Sequence, residues 1–267
     1  MVASLIQKRK TKKVGHTLNA LQVDTPWLPY NKRRTSASLR LFCFPYGGGN
    51  PAVYLNWQNY MPEEIEIFPI QLPGRGIRFK EPSYTKLEPL IRDMAESLVP
   101  FFSEPFAFFG HSMGALISFE LARDLQKRYQ LQPHHLFVSG YHAPHLPDPN
   151  PPIHHLPDNE FIEELSKLNG MPRELLQNKD YFKVFLPSLR ADCTVCEQYV
   201  YRPGHPLDCS ITAFGGHQDP ETDFDQLRAW QDQTKSAFDI HMFDGDHFFI
   251  HSEEKSLIKI ILKKLLP

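Results

Sequence analysis

One short stretch of the chain places a single serine in a tight turn between a strand and a helix. The apolar residues 106–109 predict a buried strand, which ends at residues 110–114, Gly-His-Ser-Met-Gly. Apolar residues at helical spacing follow, namely Leu116, Ile117 and Leu121. Glycines on both sides of Ser112 leave room for a strained backbone, and the amide end of the helix favours negative charge beside it. A G-x-S-x-G sequence in this setting is typical of a serine nucleophile.

Strands alternate with helices along most of the rest of the chain. Apolar runs predict further strands at residues 39–44, 65–72, 135–141, 209–214 and 238–243. Helical spacing predicts helices at residues 87–102, from the serine turn to about residue 129, at 224–234 and at 252–265. The pattern predicts the α/β-hydrolase fold, with a mostly parallel central sheet and helices on both faces.

Residues 143–201 interrupt this alternation. Five of the ten residues 143–152 are proline, and beyond them helical patterns cover residues 158–168, 173–177 and 180–201 without a strand. Insertions after a core strand commonly form lids over active sites. We therefore predict a helical lid insertion at about 143–201. A buried structural subdomain is the alternative.

The chain is long enough for one large domain, predicted at residues 38–267. Residues 1–37 are polar and basic, and they predict a partly disordered N-terminal arm whose last part packs on the core. A net charge of -2 indicates no nucleic-acid partner, and no apolar run is long enough to span a membrane. The N-terminus does not resemble a secretory signal, and the four scattered cysteines fit a reducing, cytoplasmic setting.

Two further residues complete a catalytic constellation around the serine. A serine hydroxyl needs a base, usually histidine, and the histidine needs a carboxylate to orient it. Ser112, Asp219 and His247 each follow a predicted strand in the chain order Ser, Asp, His. We predict them as nucleophile, acid and base. Three other carboxylates compete with Asp219 for the role of acid: Asp223, Asp244 and Asp246.

A glycine-rich loop after the first predicted strand is the candidate for the second half of an oxyanion hole. The first donor would be the amide of Met113, and the second would come from the loop around Tyr46 and Gly47, with the contributing amide left open. No metal site is predicted, because Cys193 and Cys196 form a single C-x-x-C without a second pair of ligands.

Five motifs together resemble those of the type II thioesterases, hydrolases that accompany polyketide and non-ribosomal peptide synthetases. They are Phe44-Pro-Tyr-Gly-Gly-Gly-Asn50, Leu72-Pro-Gly-Arg-Gly76, Gly110-His-Ser-Met-Gly-Ala115, Gly215-Gly-His-Gln-Asp219 and Gly245-Asp-His-Phe-Phe249. The resemblance extends from about Leu39 to the C-terminus. One departure is Gly47, where many members have alanine. Within the second motif, Arg75 is either a partner in a structural salt bridge, with Glu81 nearby, or a substrate contact.

The resemblance implies a serine thioesterase that clears stalled or mis-primed acyl groups from the phosphopantetheine arm of carrier proteins. It implies acyl or peptidyl carrier domains of a synthetase as partners, because the chain has no carrier motif of its own. It also implies a reaction that needs no metal or redox cofactor. We expect a monomer. The alternatives are a medium-chain fatty-acyl-releasing thioesterase, a small-molecule esterase and a non-catalytic module that docks on synthetases.

Overall fold

This computed structural model describes residues 24–30, 36–167 and 179–266, although the side chains of residues 179–182 are not described. Residues 1–23 and 31–35 of the predicted N-terminal arm and the predicted helix at residues 173–177 lie outside the described residues. The strands are β1 (Leu39–Phe44), β2 (Ile65–Pro69), β3 (Phe106–His111), β4 (His135–Ser139), β5 (Ser210–Gly216) and β6 (Phe238–Phe243). The α-helices are α1 (Ala52–Leu55), α2 (Leu87–Leu98), α3 (Met113–Tyr129), α4 (Asp158–Ser166), α5 (Lys179–Glu197), α6 (Phe224–Arg228), α7 (Phe249–Ser252) and α8 (Glu254–Leu265).

The six strands form one sheet in the order β2-β1-β3-β4-β5-β6, and every neighbouring pair is parallel. This confirms the predicted parallel sheet. Parallel strands present their carboxyl ends at the same edge of the sheet, and ligand sites of such sheets lie at that edge. The segments that follow β3, β5 and β6 carry Ser112, Asp219 and His247. All three residues therefore follow strands at this one edge.

Both faces of the sheet are covered, as the apolar runs in the strands require. On one face, Phe42 packs against Phe68 and Phe108 with ring centroids 4.9 and 5.9 Å apart, in a core that includes the apolar faces of α2 and α3. On the other face, Phe109 packs against Trp57 at 4.8 Å, in a core that includes α8. Alternate strand residues thus supply two separate cores.

Several predicted elements are longer than those in the structure. The predicted strand at residues 65–72 leaves the sheet after Pro69, although Ile70 and Leu72 remain buried. Helix α2 stops at Leu98, and Pro100 follows in a short 3₁₀ turn because proline cannot donate an amide to a continuing helix. The predicted helix at residues 224–234 is a short α-helix followed by a 3₁₀ turn.

Between β4 and β5, the described residues form two helices and no strand. Phe161 of α4 is fully buried and packs with Leu186 of α5 in a small core of their own. Arg190 of α5 binds the Asp158 carboxylate at 2.7 Å and the Leu156 carbonyl at 2.8 Å. That this region acts as a mobile lid remains a prediction. In the part of the chain that the structure describes, no helix is long and apolar enough to cross a membrane.

Candidate active site

Ser112 stands alone between β3 and α3, in a strained backbone conformation. Its φ and ψ angles are 53° and -123°, which cost a residue with a side chain on the order of 1–3 kcal/mol. The flanking glycines make this turn possible. A β carbon at Gly110 would lie 2.1 Å from the Gly114 carbonyl oxygen, and one at Gly114 would lie 2.1 Å from the Phe44 carbonyl oxygen. The turn therefore holds Ser112 in a backbone conformation that an unstrained chain would not adopt.

Asp219 and His247 form a buried pair. His247 Nδ1 lies 3.0 Å from both carboxylate oxygens of Asp219, and the two side chains are 0% and 4% exposed for Asp219 and His247 respectively. Because a carboxylate only accepts hydrogen bonds, Nδ1 carries the proton and Nε2 is left as the acceptor. This tautomer is the one that a general base toward a serine hydroxyl requires.

Ser112 and His247 both lie against the turn after β4. The Ser112 amide donates to the Ser139 carbonyl oxygen at 2.7 Å. At the next residue, His247 Cε1 lies 3.4 Å from the position of a β carbon on Gly140. The rings of His247 and His111 are also neighbours, with centroids 5.2 Å apart. Ser112 and His247 thus flank the same two-residue segment.

His111 precedes the serine but is unsuited to be the base. Its ring is fully buried, and Nδ1 lies 2.8 Å from the Ser139 hydroxyl. Burial, and secondarily the neighbouring His247, holds the pKa of His111 well below its usual range. An uncharged His111 adds no positive charge beside His247.

Two groups that support the Asp219 carboxylate were not predicted. The Glu221 amide donates to one of its oxygens at 2.8 Å, and the Thr222 hydroxyl donates to the other at 2.9 Å. The signal was present in the sequence, because an aspartate before a proline commonly starts a turn in which its side chain accepts the amide two residues on. These donors fix the carboxylate for His247.

The segment Tyr46–Asn50, here called the glycine loop, lies after β1 at the same edge of the sheet. Its Gly48 amide donates to Asp192, and its Gly49 amide donates to the Tyr46 carbonyl. Among contacts between described residues, no hydrogen bond engages the amides of Tyr46 or Gly47. Met113, as the first residue of α3, has no intrahelical acceptor for its amide. The three candidate oxyanion donors are therefore available.

The structure assigns Arg75 to an ion pair that the sequence did not indicate. Arg75 binds Asp192 of α5, whereas Glu81 pairs with Arg78 at 2.6 Å. Asp192 lies 117 residues away from Arg75 in the chain, so no local pattern could have revealed it. Among the described residues, no group of three or more histidine, cysteine, aspartate or glutamate side chains is arranged to hold a metal ion.

A sequence model described as "Thioesterase domain" matches residues 39–265. The chain belongs to the thioesterase family. This thioesterase is 51% identical over 238 residues to "Linear gramicidin dehydrogenase LgrE" of Brevibacillus parabrevis, with 88% of this chain and 90% of the relative covered. The name of that relative refers to a redox reaction rather than a hydrolysis.

Solved structures resemble this thioesterase over most of its length. RedJ, a thioesterase from the prodiginine biosynthetic pathway in Streptomyces coelicolor, superposes with a TM-score of 0.82 at 37% identity, covering 87% of this chain and 88% of RedJ. BorB, a type II thioesterase from the borrelidin biosynthetic cluster, superposes with a TM-score of 0.81 at 30% identity, covering 88% of this chain and 96% of BorB. The α/β-hydrolase fold and the resemblance to type II thioesterases are thereby confirmed.

Proposed function

We propose that this thioesterase hydrolyses acyl groups from the phosphopantetheine arm of carrier proteins, with Ser112 as nucleophile, His247 as base and Asp219 as the orienting acid. The observation that carries the proposal is the buried Asp219–His247 pair, in which His247 Nδ1 lies 3.0 Å from both carboxylate oxygens. The pair lies at the same edge of the sheet as the strained turn of Ser112. A hydroxyl held in that conformation beside an oriented imidazole is suited to attack a carbonyl carbon.

Acylation begins when the Ser112 hydroxyl attacks the thioester carbonyl carbon and His247 Nε2 takes its proton. The carbonyl oxygen becomes an oxyanion, and the Met113 amide and an amide of Tyr46 or Gly47 stabilise its negative charge. Each such donor contributes on the order of 10²–10³ in rate. The carbon–sulfur bond then breaks, and the pantetheine thiol leaves with the proton from His247. An acyl ester on Ser112 remains.

Deacylation repeats these steps with water. His247 takes a proton from a water molecule, the water oxygen attacks the ester carbonyl, and the same amides hold the second oxyanion. The ester bond to Ser112 breaks, and His247 returns the proton to the serine oxygen. The products are a carboxylic acid and the free enzyme, so this hydrolysis needs no electron donor or acceptor.

The carrier-bound substrate rests on the motif resemblance and on the relatives. RedJ belongs to a biosynthetic pathway for prodiginine, and BorB to a biosynthetic cluster for borrelidin. A thioesterase in such a setting meets acyl groups as carrier thioesters. Clearing stalled or mis-primed chains is the role that we propose, and acyl or peptidyl carrier domains are the proposed partners.

A dehydrogenase is the second candidate, because a relative at 51% identity carries that name. Hydride transfer from a nicotinamide cofactor usually requires a glycine loop that opens a long helix at the cofactor pyrophosphate. Here α1 after the glycine loop has four residues, and the Asp192 carboxylate already occupies the Gly48 amide at 2.7 Å. The Gly48 amide is therefore already engaged and is not free to bind a pyrophosphate, which favours the hydrolase.

Intact-protein mass spectrometry of acyl-loaded carrier proteins tests the proposal. Acetyl, medium and long acyl groups would be offered to the wild type, to Ser112→Ala and to Ser118→Ala, which removes a buried hydroxyl elsewhere on α3. We expect loss of the acyl mass with the wild type and Ser118→Ala, and a decrease of about 10⁴–10⁶ in kcat for Ser112→Ala.

Other outcomes would select the alternatives. Preferred release of medium chains indicates a fatty-acyl-releasing enzyme, and hydrolysis of free esters alone indicates an esterase. No turnover of any ester or thioester indicates a docking module. Oxidation of NADH or NADPH with an acyl thioester or an aldehyde, followed at 340 nm, would support the dehydrogenase.

A further inference from the structure

A carboxylate from the inserted helix α5 lies directly on the glycine loop. Asp192 is 5% exposed and accepts the Gly48 amide at 2.7 Å. Leu189, three residues earlier on α5, covers the same loop, since a β carbon on Gly48 would lie 2.4 Å from its Cδ2. Gly48 also has a φ of 75°, which favours glycine. The loop conformation is thus shaped by contact with α5.

Arg75 neutralises this carboxylate. Its Nη1 lies 2.6 Å from Asp192 Oδ2 and its Nη2 lies 2.5 Å from Oδ1, a bidentate pair with the two side chains 4% and 7% exposed. Arg75 Nη1 also lies 3.5 Å from the Gly49 carbonyl oxygen. The segment after β1, the segment after β2 and α5 therefore meet at one ion pair. A buried pair of this geometry holds its charges balanced, but loss of one partner leaves the other uncompensated.

The ion pair bears on the oxyanion donors in two ways. It engages the Gly48 amide, while the amides of Tyr46 and Gly47 upstream in the same loop remain available for a substrate oxygen. It also keeps a negative charge beside the loop paired with a positive one. An unpaired carboxylate at this place would oppose the negative charge that develops on the substrate oxygen.

We propose that Arg75 and Asp192 are positioning residues of the oxyanion hole, through which the inserted helix α5 takes part in catalysis. The inference rests on the proposed hydrolase function. Asp192 sets the conformation of the glycine loop through Gly48, and Arg75 cancels the charge of Asp192. Displacement of α5 from the loop would release both contacts, so efficient hydrolysis requires α5 to be seated on the loop.

The test compares four variants on a small acyl thioester probe, an acyl-N-acetylcysteamine, with thiol release measured at steady state. The variants are Arg75→Met, Asp192→Asn, the double variant and the matched control Arg78→Met. Arg78 is a buried arginine three residues from Arg75. Its side chain pairs with Glu81, donates to the Gln71 carbonyl and lies over the Trp27 ring, and among the described residues it makes no hydrogen bond to α5 or the glycine loop. Thermal unfolding of each variant is measured alongside.

We expect Arg75→Met to lower kcat about 10- to 100-fold with KM changed less than about threefold, since the loss lies in the transition state. The double variant should recover to within about fivefold of wild type, because asparagine still accepts the Gly48 amide and no charge remains. Asp192→Asn alone should also stay within about fivefold. Arg78→Met should lose stability while keeping its kcat.

Three results would overturn the inference: wild-type kcat in Arg75→Met, no recovery in the double variant, or an equal loss in Arg78→Met. If Arg75→Met does not fold, Asp192→Asn and Asp192→Leu carry the test, since both remove the charge and only asparagine keeps an acceptor for Gly48. We expect kcat at least about tenfold higher with asparagine, and equal values refute the inference. A wild type without thioesterase activity would instead overturn the proposed function.

Discussion

Replacing Gly114 by alanine would insert a methyl group between the two halves of the candidate oxyanion hole. Gly114 follows Met113 in α3, and a β carbon there would lie 2.1 Å from the Phe44 carbonyl oxygen and 2.9 Å from the Pro45 carbonyl oxygen. Since real contacts of this kind keep at least about 3.0 Å, the backbones must separate by about 1 Å. The glycine loop begins at the next residue, so the separation moves its amides away from that of Met113.

A displacement of this size has consequences for both rate and stability. A shift of about 1 Å in catalytic geometry commonly costs about 100-fold in rate. Overpacking of a tight interior costs about 1–3 kcal/mol in the free energy of unfolding. We therefore expect Gly114→Ala to lose about 100-fold in kcat on an acyl thioester probe and about 1–3 kcal/mol in urea unfolding.

The matched control is Gly204→Ala. There the added β carbon would lie 2.6 Å from Nη2 at the end of the Arg123 side chain, whose shift would weaken its hydrogen bond to the Arg202 carbonyl but would not reach the catalytic residues. We expect its kcat to be unchanged and its free energy of unfolding to fall by about 1 kcal/mol, the cost of one hydrogen bond. A Gly114→Ala enzyme with wild-type kcat would show that α3 and β1 can separate without disturbing the oxyanion donors, and the reasoning would be wrong.

Two further predictions concern the acid and a buried histidine. Asp219→Asn should lower kcat about 10³- to 10⁴-fold, because His247 loses the anion that orients it. The control Asp244→Asn changes an exposed carboxylate and should leave kcat unchanged. Equal kcat values in the two variants would contradict the assignment. Burial lowers the pKa of His135 from its ordinary 6.5 to about 4, so the unfolded chain binds a proton first as the pH falls. The free energy of unfolding should therefore decrease between pH 6.5 and 4, and His135→Gln should make that decrease smaller in urea titrations; an unchanged slope would contradict the account.

The sequence predicted the strands better than their ends. Apolar runs identify buried segments, but Ile70 and Leu72 are buried without belonging to the sheet, so hydrophobicity alone extended β2 too far. The end of α2 was also placed too late, because apolar spacing continues past Pro100 into a 3₁₀ turn. Sheet order and the long-range packing of α5 depend on contacts far apart in the chain, which no local pattern contains.

In the candidate site as well, the sequence predicted residues marked by a local pattern and missed those that depend on long-range packing. Ser112, Asp219 and His247 were chosen because each follows a strand, and the structure brings Asp219 and His247 into contact at 3.0 Å. Their catalytic roles stay a prediction until the variants are measured. The Arg75–Asp192 pair was missed because Asp192 lies on an inserted helix, whose position does not follow from the alternation of strands and helices.

The residues before β1 have a consequence for where a working fragment of this protein must begin. Trp27 and Leu28 are 3% and 5% exposed, the Trp27 carbonyl accepts the Gln71 amide at 2.9 Å, and the Arg78 guanidinium lies 4.3 Å above the Trp27 ring. The thioesterase sequence model starts only at residue 39. A recombinant fragment that begins at residue 39 would lack Trp27 and Leu28 and would expose the apolar core residues that they cover. A working fragment should therefore begin before Asp24.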